Sequence, residues 1–584
     1  MPSKGWCVDR SGISFFLLSW LFALGTMACP PLAAQQMQRP DAGTLQEPQR
    51  QIPLLPSPGA PQISLPDPKP SVPAASAVRI TPVAFRFEGN TVFDDETLAA
   101  LLFDRINQPS NLAGLTEAAR LVSQYYRARG YLLTEAYLPE QAFLAVGGTV
   151  TIAVIEARIG KVHVQVEGEH GSSSFAQRVV KANLLPGTLI TEYLLDKPVL
   201  LLRDLAGIDA SATVQPGEGL GQADVVVTIR AQGRQVSGSV GADNFGARAA
   251  GVLQAAGNLN VGNLLGRGDT LSLRAQLSDA DRSSLYRLAY AVPVGVAGAQ
   301  LTVSAARTDY ALGRQFAALG ATGKADVLGV SLKHPLIRSR ENNLYGLLNV
   351  EHKKFTDRIA TPANESERRI VSARFGLLGN FADTVVSAGG SSSYALTLTR
   401  GHARLDAATL GFDQGVGGLQ TAGNFSKFNL EFQRVQSFDN PASVHVSLQA
   451  QLASKNLASA EKMALGGPTG VRAYPVGEGI GDAGLLINLE YRYQLDSSVA
   501  LGGEPVSLAA FYDYGTVRFN QDDSLVPGAT NRIFLGAVGV GALAGRANNF
   551  LVTAYLAWRT TRSTPTTGDP DRSPRVWLSA QKSF

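Results

Sequence analysis

Two residues, Arg472 and Asp513, have surroundings suited to buried charge chemistry. Arg472 is the conspicuous charge in EKMALGGPTGVRAYPVGEGIGDAG, residues 461–484, whose glycines permit a tight, folded-back loop. Asp513 lies in SLAAFYDYGTV. There, alternation sets Phe511, Asp513 and Gly515 on one strand face and Leu508, Ala510, Tyr512 and Tyr514 on the other. If the first face lines a polar lumen, its carboxylate wants a cationic partner, and an Arg on an inward loop offers a planar, bidentate one. The alternative is an Arg472 solvated at a loop tip. Either way the chemistry is holding, not bond-making.

The signatures of other chemistry do not occur. The six histidines (163, 170, 334, 352, 402, 445) show no ligand spacing and no His-Glu-x-x-His run. Gly160-Lys161 and Gly323-Lys324 lack the Ser or Thr of a phosphate-binding loop. No Gly-x-Ser-x-Gly elbow occurs, and GAVGVGALAG lies among strand patterns, where small residues serve packing. Both cysteines, Cys7 and Cys29, fall near the N-terminus, inside a segment expected to be removed, which leaves no thiol for zinc or nucleophilic catalysis. No catalysis, cofactor or metal is expected.

The elements around Arg472 and Asp513 repeat at every second residue. In TLSLRAQLS, Leu271, Leu273, Ala275 and Leu277 share a face opposite Ser272, Arg274, Gln276 and Ser278. HVSLQAQLAS and LLINLEYRYQL do the same, the latter setting Asn488, Glu490, Arg492 and Gln494 on its polar side. A soluble sandwich would also alternate. Three features favour a closed transmembrane barrel: segments of about ten residues, Tyr and Trp near strand ends, and Arg and Glu on the inner face. From residue 234 onward the chain holds 41 of its 60 glycines and no amphipathic helix is evident. About 16 strands would fit that length.

The whole chain of 584 residues is 45% hydrophobic and only 17% charged, without any helix-length apolar span after the N-terminus. Lys and Arg number 52 against 48 Asp and Glu, a net +4 too balanced to imply a nucleic-acid partner. Mean hydropathy is +0.02, as expected of a wall that turns alternate residues to lipid and to water. At the N-terminus, Lys4 and Arg10 precede the apolar run Ile13–Met27 and small residues at Ala33-Ala34. This predicts a secretory signal over 1–34, cleaved after Ala34.

Residues 35–77 contain ten prolines and read as an extended linker, with a short helix conceivable over Thr44–Gln51. Residues 78–157 then order as β-α-α-β-β, with Leu115, Ala118, Ala119, Val122, Tyr125 and Tyr126 at helical spacing and a stop at Gly130. Residues 158–233 repeat that order, although a single α+β domain is the simpler alternative.

At this point the chain resembles a known family. GVRAYP after LGGPTG is similar to the Val-Arg-Gly-Tyr motif on the sixth extracellular loop of the outer-membrane insertase and secretion superfamily. FYDYG resembles its Phe-x-Asp-x-Gly barrel motif. The run DNFGARAAGVLQAAGNLNVGNLLGRGDTLSL, then RLAYAVPVG and a chain ending VWLSAQKSF, looks like the ShlB/FhaC/HecB haemolysin secretion/activation family of two-partner secretion transporters.

The resemblance implies a linker, two polypeptide-transport-associated (POTRA) domains over 78–157 and 158–233, and a 16-stranded barrel over 234–584. It implies an outer-membrane translocase that captures an extended exoprotein in the periplasm and exports it through the pore without ATP. The motif residues would be Gly466, Gly467, Val471, Arg472 and Tyr474, facing Phe511, Asp513 and Gly515, with Ala473 where the family has Gly. Phe584 would be the C-terminal signal to the barrel assembly machinery. Expected partners are the secreted exoprotein and outer-membrane lipid, with the barrel acting as a monomer. In the family an N-terminal helix can plug the pore. Competing readings are an insertase for other barrels, which usually carries more POTRA units, a passive porin, and a soluble exported adhesin.

Overall fold

The computed structural model describes residues 40–46, 62–65, 79–142, 146–168, 173–232, 235–386 and 388–584. The expected signal over 1–34 lies outside them.

The first folded unit begins with a strand, Thr81–Glu88. Helix α2 (Asp95–Ala100) follows, started by the Asp94 side chain accepting from the Thr97 amide at 2.8 Å. Asn111 caps α3 (Leu112–Arg127), and the chain turns at Gly130, whose φ of +89° suits glycine. Strand Val146–Ile155 lies central, parallel to Thr81–Glu88 on one side and antiparallel to Glu135–Tyr137 on the other. The helical stripe turns Leu115, Ala118, Ala119, Val122 and Tyr126 into the core against Phe85, Phe87, Val150 and Ile152. Tyr125 stays at the rim of that core, under the Arg129 guanidinium.

The second unit repeats the order with strand Arg158–Glu167, helices α4 (Ser173–Asn183) and α5 (Glu192–Arg203), and strands Ile208–Pro216 and Gln222–Ala231. Its sheet has a fourth member from far upstream. Gln62–Ser64, within the Pro-rich linker, pairs in parallel with Ser211–Thr213 at the sheet edge.

Sixteen antiparallel strands close the barrel. Numbered in chain order, they are β1 (Gln235–Asp243), β2 (Gln254–Gly262), β3 (Thr270–Ser278), β4 (Ser283–Val294), β5 (Ala299–Ala311), β6 (Thr322–Arg338), β7 (Asn342–Ile359) and β8 (Asn364–Asp383). The second half comprises β9 (Gly390–Leu405), β10 (Gly423–Ser437), β11 (Ala442–Ala453), β12 (Ala483–Gln494), β13 (Glu504–Arg518), β14 (Arg532–Gly545), β15 (Phe550–Arg559) and β16 (Arg575–Ser583). Among the described residues no helix is long and apolar enough to cross a membrane; the strands do so. On β13, Leu508, Ala510 and Tyr512 are exposed while Ala509, Phe511, Asp513, Gly515 and Val517 are buried, as alternation requires.

Closure rests on a short seam of five pairs between β16 and β1, from Ser579↔Asp243 to Ser583↔Ser239. Phe584 extends it, exchanging backbone hydrogen bonds of 2.9 and 3.0 Å with Gly238. A Cβ at Gly238 would lie 2.4 Å from Asn258 O and 2.6 Å from the Phe584 ring, and the backbone oxygen makes glycine required there.

The second unit docks on the periplasmic rim of the barrel through α5. Arg338, at the end of β6, grips Asp204 with two bonds of 2.7 and 2.8 Å, and Arg340 in the next turn grips Asp196 with two of 2.7 Å. Arg338 and Asp196 are buried, and bidentate pairing is what makes such burial tolerable.

The half after residue 234 contains a short helix, α6 (Ala407–Gln414), between β9 and β10, but none of its residues is buried, so it is not amphipathic. Its cap is local: the Asp406 carboxylate accepts from the Thr409 amide at 3.0 Å. One expectation needs correction: of the Trp and Tyr near strand ends expected to form an interface girdle, Trp577 on β16 is instead buried and faces the lumen, donating to Arg472 O.

Candidate functional site

The connection from β11 to β12, residues 454–482, folds back into the lumen instead of projecting from it. A two-residue ladder, Met463–Ala464 with Ile480–Gly481, closes its base. Above it the chain doubles tightly: Val471 N–H donates to Leu465 O at 2.7 Å, and Gly467 N–H to Tyr474 O at 3.1 Å. Glycine is needed at two points. A Cβ on Gly466 would come within 2.2 Å of Pro475 O, and Gly467 has a φ of +122°. Ala473 is buried and is not among the residues with positive φ, so its methyl group is accommodated in an ordinary backbone conformation.

This fold aims Arg472 at the wall. Its Nε and Nη2 bond the two Asp513 oxygens at 2.9 and 2.8 Å, and its backbone N–H adds a third bond to the same carboxylate at 3.0 Å. Nη1 binds Glu490 on β12. Arg492 takes the other Glu490 oxygen at 2.6 Å, so two guanidiniums face two carboxylates and the buried cluster is neutral. The Arg472 guanidinium lies 3.4 Å from the Phe511 ring centre and 4.9 Å from that of Tyr555. Asn488 donates to both Asp513 and Gly470 O, and Trp577 Nε1–H donates to Arg472 O at 2.7 Å.

The remaining motif residues make room for this contact or brace it. A Cβ at Gly515 would meet Leu465 and Val471 at 3.0 and 3.1 Å, so the loop rests directly on the β13 backbone. Tyr474 bonds Thr561 Oγ1 and Ser563 O, at 2.8 and 2.9 Å, in the β15–β16 connection. Glu478, fully buried, accepts from Thr566 and Thr567 of the same connection.

A second anchor was not anticipated. Glu461, at the loop's other limb, is ion-paired to Lys353 of β7 at 2.9 Å and to Lys427 of β10 at 3.0 Å, all three buried. Lys353 also meets Glu351 at 3.0 Å, so this cluster too has two cations and two carboxylates. Strand alternation could have turned Lys353 and Lys427 inward; nothing local in the sequence joins them to Glu461.

Helix α1 (Ala42–Gln46) occupies the lumen beside this limb. It starts two residues earlier than expected because Asp41 caps it, accepting from Thr44 N–H at 2.9 Å. Asp41 also meets Arg368 of β8 at 2.8 Å and Ser459 of the loop at 2.7 Å, while Ala42 N–H donates to Asp357 of β7 at 2.9 Å. Residues 47–51 of the expected helix lie outside the described residues. Between α1, the loop and the wall remains a cavity of about 850 Å³ whose lining includes Arg274, Gln276, Arg374, Asn429, Glu431 and Gln449. The site can hold a loop and a helix in a wet pore. Among the described residues no cluster suited to a metal occurs.

A closed barrel behind two periplasmic α/β units, its lumen filled by its own sixth external loop, defines an outer-membrane polypeptide transporter. The family model for haemolysin secretion/activation protein ShlB/FhaC/HecB matches residues 221–541, and that for the ShlB-type POTRA domain matches 80–157. The chain belongs to the ShlB/FhaC/HecB family and is an outer-membrane transporter of two-partner secretion, with POTRA domains on the periplasmic side.

Among curated relatives it is 26% identical to the heme/hemopexin transporter protein HuxB of Haemophilus influenzae, over 82% of this chain and 83% of that one. It is 24% identical to the outer membrane transporter CdiB of Dickeya dadantii, over 81% and 83%. CdiB from Escherichia coli shares the fold, with a TM-score of 0.65 at 20% identity over 89% of this chain and 93% of that one.

Proposed function

We propose that this barrel exports one secreted exoprotein, captured in extended form by the units at 78–157 and 158–233, and that loop 454–482 and α1 keep the pore shut at rest. The observation that carries this reading is that the lumen is filled by two segments of the chain's own sequence, both fixed to the wall through ion pairs. A passive porin would have no use for such a filling. Arg472 is the lock residue and Asp513 its principal seat, with Gly466, Gly467, Val471 and Tyr474 shaping the loop and Phe511 and Gly515 shaping the seat. Phe584 serves as the signal to the barrel assembly machinery, and the barrel acts as a monomer.

Capture follows from the sheet edges. Thr81–Glu88 and Glu135–Tyr137 are outer strands of the first sheet, and a passenger strand added there would gain main-chain hydrogen bonds with loose sequence demands. In the second sheet the outer edge of Ile208–Pro216 carries Gln62–Ser64, so passenger and linker compete for it. The periplasm offers no ATP; capture and folding of the passenger outside drive passage.

The test is export of the cognate partner by Arg472→Ala at equal barrel abundance. The expected result is a loss of export; wild-type export would overturn the assignment of Arg472. Deleting residues 78–157 separates capture from insertion: the barrel should still insert, since its hydrogen bonds close on themselves, but bind no passenger.

A further inference from the structure

The outer surface of the barrel carries a feature that neither the lock nor the capture edges use. At the extracellular ends of β7, β8 and β9, Lys354, Arg369 and Arg404 stand directly opposite one another across the strands. All three point outward, because the alternate residues Phe355, Ile370 and Ala403 are buried against the lumen. Arg400, two pleat repeats nearer the membrane centre on β9 with His402 between, is exposed on the same face. Val371 and Val350 flank the lower part of this row, and below Arg400 the surface is apolar with Phe375 and Leu398, all exposed.

Like charges directly opposite on adjacent strands are destabilising, and cations on a lipid-facing wall cost more the deeper they lie. Glu367 offsets part of this, pairing with Lys354 at 2.9 Å and with Arg369. Among the described residues no carboxylate lies within ion-pair distance of Arg400 or Arg404. Across the barrel, β13–β15 present Tyr512, Tyr514, Phe534 and Trp558 outward, an aromatic girdle ordinary for such barrels, with Arg518 opposite Arg532 at the strand ends. Asp326 of β6 stands directly opposite Lys354, so two carboxylates accompany the four cations on this face, and Arg400 and Arg404 are the pair left without one.

We propose that the row Lys354–Arg369–Arg404, with Arg400, is a binding site for the phosphorylated sugar headgroup of lipopolysaccharide, its acyl chains lying on the apolar surface below. Guanidiniums match phosphate oxygens in a bidentate fashion, and cations just outside an apolar band are where a lipid phosphate rests. The occupant is a lipid, not free phosphate, because the patch opens sideways toward the bilayer and continues into that apolar surface.

The test uses the full-length barrel in detergent, wild type and R369Q/R400Q/R404Q, with heat-modifiable migration to verify folding. Lipopolysaccharide, the same preparation stripped of its lipid A phosphates, phosphatidylglycerol and inorganic phosphate are titrated against the thermal unfolding midpoint. Wild type should bind intact lipopolysaccharide roughly 100-fold more tightly than the triple variant, from about one surface charge's attraction per Arg. Loss of the phosphates should weaken wild-type binding to the same extent. Equal binding by the variant, indifference to the lipid A phosphates, or equal affinity for phosphatidylglycerol or inorganic phosphate would each overturn the proposal. If the triple variant does not fold, R400Q and R404Q are measured singly, with about fivefold weakening expected from each.

Discussion

The two anchors of the lumen loop are mirror images in charge. At the motif end the loop supplies the cation, Arg472, to carboxylates on β12 and β13; at the other limb it supplies the carboxylate, Glu461, to ammoniums on β7 and β10. Each cluster is neutral, yet they differ in directionality. The planar guanidinium is fixed by four hydrogen bonds from three nitrogens and the backbone, with an aromatic ring beneath it. The lysines grip Glu461 as point charges with freely rotating donors. One end specifies a geometry and the other only a polarity.

The largest expected effect comes from breaking the directional end. Asp513→Ala leaves a buried guanidinium short of a partner, at a cost of about 3–5 kcal/mol. The loop should leave its seat, read as higher ion conductance in planar bilayers and a large fall in export. Arg472→Lys keeps the charge but loses the fork, and should give an intermediate conductance. If Lys matches Arg, directionality is not what distinguishes the two ends.

Glu461→Gln comes next. It leaves one surplus buried ammonium, since Glu351 still pairs with Lys353 at 3.0 Å, so the cost should fall below that of Asp513→Ala. Conductance should rise less, and Lys427→Met in the same background should restore it by removing the surplus charge. Gly515→Ala tests contact without touching charge. Its methyl group would press on Leu465 and Val471, costing about 1–3 kcal/mol, visible as a lower unfolding temperature in detergent.

The smallest effect is expected outside the barrel. Glu156, in the first periplasmic unit, is buried, which raises the pKa of its carboxyl. Hydrogen bonds from Thr91, Val92 and Tyr126 more than offset this and hold it below the ordinary glutamate value. A depressed folded value means the stabilisation is complete above the ordinary value and is lost as pH falls through the folded one. Acid should therefore loosen this unit in wild type, and Glu156→Gln should flatten that dependence when unfolding is followed against pH.

The difference between the anchors also explains what could be read in the sequence. Arg472 and Asp513 are flagged by short local patterns, a glycine-rich loop and a strand alternation, and the barrel wall follows from period two. Trp577 follows the same rule, since Val576 and Leu578 on either side of it face out. The Asp41 cap was readable too, from an Asp three residues before a Thr. Glu461 with Lys353 and Lys427 was not. That contact joins residues 108 and 34 positions apart through the path of a loop, and no spacing records where a loop goes.

The linker strand has a quantitative consequence. Residues 62–64 rest on the second sheet's edge, and only the fifteen residues 47–61 separate them from the helix in the lumen. A strand held on so short a tether meets its edge at an effective concentration in the millimolar range. Any passenger must outbid that local concentration, so weakly pairing strands that drift through the periplasm are turned away without a dedicated recognition pocket. Selectivity at this edge is set by the length of a tether as much as by the sequence of the guest.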